Sequence, residues 1–479
     1  MSHLVIAPIL LPAVLAGLLL LLPQRLSMQR LLSLGGVAGF AALALLLAGR
    51  TATPLAYHLG DWPAPFGIVL IADGLSVLML MLLAAVALPV LLYSMASGWD
   101  ARGRHFHALL LFLLSGLAGA FLTADAFNLF VFFELLLIAS YGLMVHGGGA
   151  GRLRAGIQYV GFNLVGSTLF LFALATIYAV TGTLNMADLA QKWPLMPPGD
   201  QALARVAAVL LLMVFAVKGA LVPLQFWLPG TYAAAPGPVA ALFAIMTKVG
   251  AYAALRLGWL VFDAGPTAGM WAELLQPAAL ATLALGAVGV LGSRELPRQA
   301  AFAAIGSMGL VFLGVAAFTP TATVAALYYL IHSTLAGAAL FLVADLAGRN
   351  VRSGPVAVLF MASAVAVAGL PPLSGFLGKI LLLQALADQA PLIWSAVLLA
   401  SFLTVVGFSL TGSARFWKAR SGAPEAAEPL SLAAAGLLLA GLVAITVLAG
   451  PLTGWLQAVA EGLADPAPYI AATAPQSGG

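Results

Sequence analysis

The 479-residue chain contains no cysteine, and only 8% of its residues are charged. The first absence excludes disulfides, thiolate metal sites and iron–sulfur ligation by this chain. The second excludes an ordinary soluble domain, where about a quarter of residues carry charge. No Walker motif, catalytic-triad pattern or metal-ligand cluster is present, so no metal and no cofactor is expected. Polar sequence is scarce too. The longest stretch between candidate spans lies near Asp188 to Asp200, which leaves no room for a large soluble domain.

What fills the chain is apolar. Hydrophobic residues make up 63%, and the mean hydropathy is +1.08. A membrane span needs roughly 20 apolar residues. Fourteen segments qualify: 3–23, 31–49, 71–95, 106–124, 126–146, 156–181, 204–227, 237–260, 271–292, 298–317, 321–347, 356–384, 393–412 and 429–450. Helices are expected, because lipid offers an open strand no hydrogen-bond partners. The fold class is therefore all-α and polytopic. The N-terminal segment lacks a positive region before its apolar run and reads as a retained first helix.

Charge placement orients these spans. Thirteen of the twenty basic residues fall in alternate connections: Arg25, Arg30, Arg102, Arg104, Arg152, Arg154, Arg294, Arg298, Arg349, Arg352, Arg415, Lys418 and Arg420. The intervening connections hold only Arg50, Lys192, Arg205 and Arg256. Basic loops stay cytoplasmic, so an even span number places both termini outside. The sequence pI near 9.4 reflects this topology rather than nucleic-acid binding.

The remaining three lysines, Lys218, Lys248 and Lys379, lie inside apolar runs, as do Glu134 and His332. A charge at membrane depth costs a few kcal/mol or more, and such residues usually serve ion movement. Desolvation penalises the charged form, and a nearby opposite charge restores it. Glu134 therefore reads as a carboxylate partnered with a buried lysine; a structural ion pair is the alternative. For the lysines the alternative is snorkelling to the interface. Histidine titrates most readily near neutral pH; otherwise His332 is a polar bridge with Ser333 and Thr334 as local partners. Asp345 and His146, at span ends, read as interfacial, and Asp125 as a helix N-cap.

Two spans carry helix breakers in mid-run, at Pro223 and at Pro371 and Pro372. Proline removes a backbone donor and breaks a spanning helix. Paired broken helices with charges close by point to internal repeats in a transporter, although the two halves show no obvious similarity.

Three stretches carry a family resemblance: Asn128-Leu-Phe-Val-Phe-Phe-Glu134-Leu, Lys218-Gly-Ala-Leu-Val-Pro223-Leu-Gln-Phe-Trp-Leu-Pro229 and Gly369-Leu-Pro-Pro-Leu-Ser-Gly-Phe-Leu-Gly-Lys379. They resemble the antiporter-like subunits of Mrp-type cation/proton antiporters, respiratory complex I and membrane-bound hydrogenases. With the stretch from Tyr328 to Leu342, the chain looks most like the D-type Mrp subunit. The resemblance implies fourteen helices with two inverted five-helix repeats, each containing a broken helix. It implies N-terminal helices over 1–105, a first repeat over 106–260, a second over 271–412, and a last helix and tail over 429–479. Glu134 and Lys218 become the acid–lysine pair of the first half, Lys248 the central relay, His332 a conducting histidine and Lys379 the terminal lysine. The implied function is proton translocation in a bacterial inner-membrane antiporter for Na+ or K+, with A-, B-, C-, E-, F- and G-type subunits as partners. A proton-pumping subunit of a redox complex is the other implied role. One departure stands out: many relatives carry a lysine five residues after the histidine, where this chain has Gly337.

Overall fold

A computed structural model describes residues 3–22, 25–349, 354–417 and 427–474. Of the basic residues above, Arg352, Lys418 and Arg420 lie outside the described residues. The helices are α1 (His3–Leu20), α2 (Leu26–Ala48), α3 (Gly74–Ala96), α4 (Phe106–Leu122), α5 (Ala126–Met144), α6 (Ala150–Thr181), α7 (Met186–Lys192), α8 (Gln201–Gly219), α9 (Trp227–Ala234) and α10 (Gly237–Leu257). They continue with α11 (Met270–Gly292), α12 (Leu296–Ala316), α13 (Pro320–Gly348), α14 (Gly354–Ala368), α15 (Ser374–Ala385), α16 (Ala390–Gly412), α17 (Pro429–Val447), α18 (Ala449–Ala464) and α19 (Ala467–Thr473).

Among the described residues, twelve helices are long and apolar enough to cross a membrane. The two further expected spans fall on shorter apolar helices, one on α4 and one on α14 with α15. Helices α10, α12 and α13 are buried along most of their length, whereas α1, α2, α6 and α16 present much of their surface outward. The centre of the molecule is therefore built from helices hydrophobic all round, as expected when lipid surrounds the outer ring.

Two expected span boundaries shift, and short elements join the all-α fold. Leu55–His58 (β1) and Val69–Ala72 (β2) pair antiparallel, with Leu55 opposite Ala72 and His58 opposite Val69. The third span consequently starts at Gly74 rather than 71, because the Asp73 carboxylate accepts from Ser76 N at 2.9 Å and caps the helix. The sixth span starts at Ala150 rather than 156 and so includes Arg152 and Arg154. The tail beyond 450 carries helices α18 and α19. Helix α18 buries Leu456, Val459, Ala460 and Leu463, a one-faced spacing that was present in the sequence.

Polar contacts sort the connections onto two faces. On one, Arg30 pairs with Asp100 at 2.6 Å. Arg349 donates to Ser97 O at 2.9 Å, Trp99 Nε1 donates to Asp345 at 3.0 Å, and Arg152 donates to Ala234 O at 3.1 Å. On the other, Tyr252 donates to Phe121 O at 2.7 Å, Arg205 donates to Pro266 O at 2.7 Å, and Arg256 grips Asp73 with two bonds of 2.5 and 2.7 Å.

The two breaks share one geometry. Helix α8 ends with Ala220 at φ +53°, and α14 with Gly369 at φ +73°, both left-handed. Leu221 N then bonds back to Ala216 O at 2.9 Å, and Leu370 N to Val365 O at 3.1 Å, closing both ends alike. Both run left-handed residue, Leu, one residue, Pro, Leu before the next half-helix. The contacts above place the start of α8 and the end of α9 on opposite faces. The pair α14–α15 runs the other way, from beside Arg349 to the end that bears Gln389, which bonds Gln276.

Arg256 is buried, and burial of the Asp73 carboxyl opposes its ionisation. The guanidinium overrides this and holds that carboxyl below the usual carboxylate range. A carboxyl lowered in the folded state contributes stability above its unfolded value of about 3.9, and that stability is lost as pH falls. Arg256→Met should cost about 3–5 kcal/mol by stranding the carboxylate. Thermal melts in detergent should show this loss near pH 7, with a weaker acid dependence below about pH 4 than the wild type.

Candidate functional site

Lys218, Lys248, Lys379 and His332 are 7%, 1%, 8% and 1% exposed. None of the lysines reaches outward, so each amine must find its acceptors inside.

Lys218 lies in the last turn of α8, and its Nζ donates to Asn163 Oδ1 at 2.7 Å. The Phe133 ring centre lies 5.8 Å away. Glu134 on α5 lies close enough to act on Lys218 electrostatically. The direct pair expected from the sequence is nevertheless open. No Glu134–Lys218 ion pair forms among the described residues, and the carboxylate accepts from Ser167 Oγ. Asn163 and Ser167 are four residues apart on α6, hence on one face. The Ser167 hydroxyl also lies 3.0 Å from Asn163 O. Sequence reading passed over both. Their signal is a pair of polar side chains at helical spacing in an apolar run.

Lys248 occupies the middle of α10, every residue of which is buried. Its acceptor is Ser307 Oγ on α12, at a long 3.4 Å.

His332 on α13 meets the second break. Its Nδ1 lies 2.8 Å from Ser374 Oγ, at the first residue of α15. The expected local partners serve elsewhere: Ser333 and Thr334 both donate to Leu330 O, at 3.2 and 2.7 Å. Gly375 permits the approach, since a Cβ there would stand 2.7 Å from His332 Nε2.

Lys379 on α15 turns back to the break. Its Nζ donates to Ala368 O at 2.6 Å and to Ser401 Oγ of α16 at 2.7 Å. Ala368 closes α14, so its carbonyl is freed by the break and lies at the negative end of the helix dipole. At the first break that duty falls on uncharged groups. Trp227 Nε1 donates to Val217 O at 2.9 Å, and Val222 N donates to Thr282 Oγ1 at 2.9 Å.

A cavity of about 40 Å³ joins the second half. His332, Lys379, Ser307, Ser401 and Thr404 line it, together with Gly337. A water needs roughly 10–15 Å³ on this measure, so the cavity admits about three. Around Lys218 the corresponding space is only about 10 Å³. Asp125 caps α5, accepting from Asn128 N at 2.7 Å. His146 donates Nε2–H to Trp99 O at 2.7 Å, and Asp345 accepts from Tyr93 and Trp99, so both join connections on one face.

Two oppositely running broken helices flanking a line of buried amines define a polytopic ion-translocation type of fold. The family model described as NADH:quinone oxidoreductase/Mrp antiporter, TM, matches residues 123–407. The D-type subunit of a probable K(+)/H(+) antiporter from Rhizobium meliloti is 38% identical, over 97% of this chain and 96% of the relative. The D-type subunit of the Na(+)/H(+) antiporter from Bacillus subtilis is 38% identical over 98% and 99%. A chain in the structure of the Mrp complex from Dietzia sp. superposes with a TM-score of 0.90 at 26% identity, covering 98% of this chain and 99% of that one. The chain belongs to the NADH:quinone oxidoreductase/Mrp antiporter membrane-subunit family.

Thr282→Val leaves Val222 N of the first break unpaired, at a cost of about 1–3 kcal/mol, whereas Trp227→Phe removes one of the two donors to Val217 O and costs less. Hydrogen–deuterium exchange across Ala220–Phe226 should accelerate in both variants, with the second break unchanged.

Proposed function

We propose that this chain is the proton-translocating subunit of a multisubunit Na+ or K+/proton antiporter, and that Glu134, Lys218, Lys248, His332 and Lys379 carry the proton. The observation that carries the reading is the series of paired polar groups among the helices: half-buried Glu134 with Ser167, Lys218 with Asn163, Lys248 with Ser307, and a hydroxyl-lined cavity that Ser307 shares with His332 and Lys379. Near-full-length likeness to D-type antiporter subunits supports it. The proposed partners are the remaining subunits of such a complex, in a bacterial inner membrane.

Each step is electrostatic. A proton arriving at Lys248 raises the field on Lys218, and the gap to Glu134 opens or closes in response. Two unit charges about 6 Å apart interact by ~3 kcal/mol at an effective dielectric near 20, about a hundredfold in an equilibrium. Serine and threonine hydroxyls around a cavity with room for water are proposed to replace the lysine that many relatives carry at the position of Gly337. A Cβ added there meets only Ala244 Cβ at 3.7 Å, so the space is real. The repeats are proposed to span 106–260 and 271–412, preceded by 1–105 and followed by 429–479. Fourteen spans, counting α4 and the α14–α15 pair, put both termini outside when the face bearing Arg30, Arg152 and Arg349 is cytoplasmic.

The second reading, a proton-pumping subunit of a redox complex, draws on the breadth of the family model, whose description includes NADH:quinone oxidoreductase. The buried groups would act in the same way. Exchange in everted vesicles without an electron donor supports the antiporter; strict dependence on quinone reduction or hydrogen evolution supports the redox complex.

In an assembled complex, Lys218→Ala, Glu134→Gln and Lys379→Ala should each lower cation/proton exchange about a hundredfold. Near-wild-type exchange by Lys218→Ala sinks the mechanism. Gly337→Leu fills the cavity and should slow exchange about tenfold or more without loss of complex, because the water relay needs its room.

A further inference from the structure

Asn163 belongs to no charged motif, yet it holds the amine at the head of the line. We propose that Asn163 is a positioning residue that competes with Glu134 for the Lys218 ammonium, and that Ser167 holds the released carboxylate, so that the two α6 side chains form a latch for the open state of the pair. The inference rests on the function proposed above and adds the group that keeps the pair apart.

The geometry is specific. Lys218 Nζ has the Asn163 amide oxygen at 2.7 Å, and the amide nitrogen of Asn163 is tied to Tyr159 O at 2.8 Å. That second bond orients the amide with its oxygen toward the amine, since a donor cannot face an ammonium. Tyr159 is itself fixed, 2.9 Å from Ser140 Oγ and stacked on Trp227 at 5.5 Å. The latch is thus anchored to the half-helix that follows the first break. Ser167 Oγ has two acceptors in reach, Glu134 and Asn163 O, and a single proton. While Glu134 takes that proton, the carboxylate is satisfied without Lys218. When Lys218 swings to Glu134, the hydroxyl turns to Asn163 O, and the buried Asn163 Oδ1 gives up its donor, which favours return of the amine. The space around Lys218 admits about one water, so solvent offers little competition.

A neutral acceptor matters. It holds the ammonium by one hydrogen bond, weaker than an ion pair, so the equilibrium can be tipped by a charge on Lys248. Asn163→Asp has nearly the same shape but makes the latch an ion pair. It should lower exchange at least about tenfold in a fully assembled complex, whereas Asn163→Ala and Ser167→Ala weaken the latch and lose only a few-fold. The complex is quantified on native gels. Infrared difference spectra of the purified complex, with Glu134→Gln identifying the band, should show the Glu134 carboxylate stretch moved in Asn163→Ala and in Ser167→Ala. Wild-type exchange by Asn163→Asp, as a merely structural amide predicts, overturns the proposal. If Asn163→Asp does not assemble, an unmoved Glu134 band in both alanine variants overturns it. Loss of exchange in Lys218→Ala alongside a wild-type Asn163→Asp removes only the latch; retained exchange in Lys218→Ala removes the function itself.

Discussion

The constraint on which the rest depends is the need to satisfy polar groups where no water or lipid can do so. Breaking a spanning helix frees backbone carbonyls and amides in its middle, and each must be paired inside the protein. The first break pairs them with Trp227 and Thr282, both uncharged. The second pairs Ala368 O with the ammonium of Lys379. The left-handed closures at Ala220 and Gly369 are alike, but what completes them differs. Lys218 is bound away from its own break, on Asn163 of α6, while Lys379 is bound into the structure of its own break.

That difference makes the two halves chemically unequal within one repeated fold. The first half is tight, with a carboxylate, an amide and a hydroxyl arranged around one amine. The second half is roomier, with hydroxyls around a cavity between His332 and Lys379. Lys248 stands between them on a fully buried helix with a single long bond to Ser307. A weakly held charge responds most to its neighbours, which suits a relay. The Arg256–Asp73 pair provides the contrast: two short bonds tie α10 to the start of α3, and such a pair serves rigidity.

Much of the candidate site was legible in the sequence, because a charge in an apolar run is costly and therefore conspicuous. Glu134, the three lysines, His332 and the prolines at 223, 371 and 372 all announced themselves in this way. Asn163, Ser167, Ser307, Ser374 and Ser401 did not. A serine or asparagine costs little in a helix of such a protein, so it carries no alarm, and its importance depends wholly on what faces it. The hairpin of β1 and β2 and helices α18 and α19 were missed for a related reason. Hydropathy over a window of twenty residues blurs four-residue strands and helices that are only half apolar.

The sequence by itself determined that this chain is a many-span membrane protein, where its breaks fall, and which charges lie within its spans. Composition and proline position dictate these locally, before any tertiary contact forms. Only the tertiary structure decided that Lys218 rests on Asn163 rather than Glu134, that His332 reaches across to Ser374, and that the room beside Gly337 is lined with hydroxyls. Those outcomes depend on which helix faces which, and residues 55 and 42 positions apart in the chain meet only after packing has chosen among the acceptors within reach.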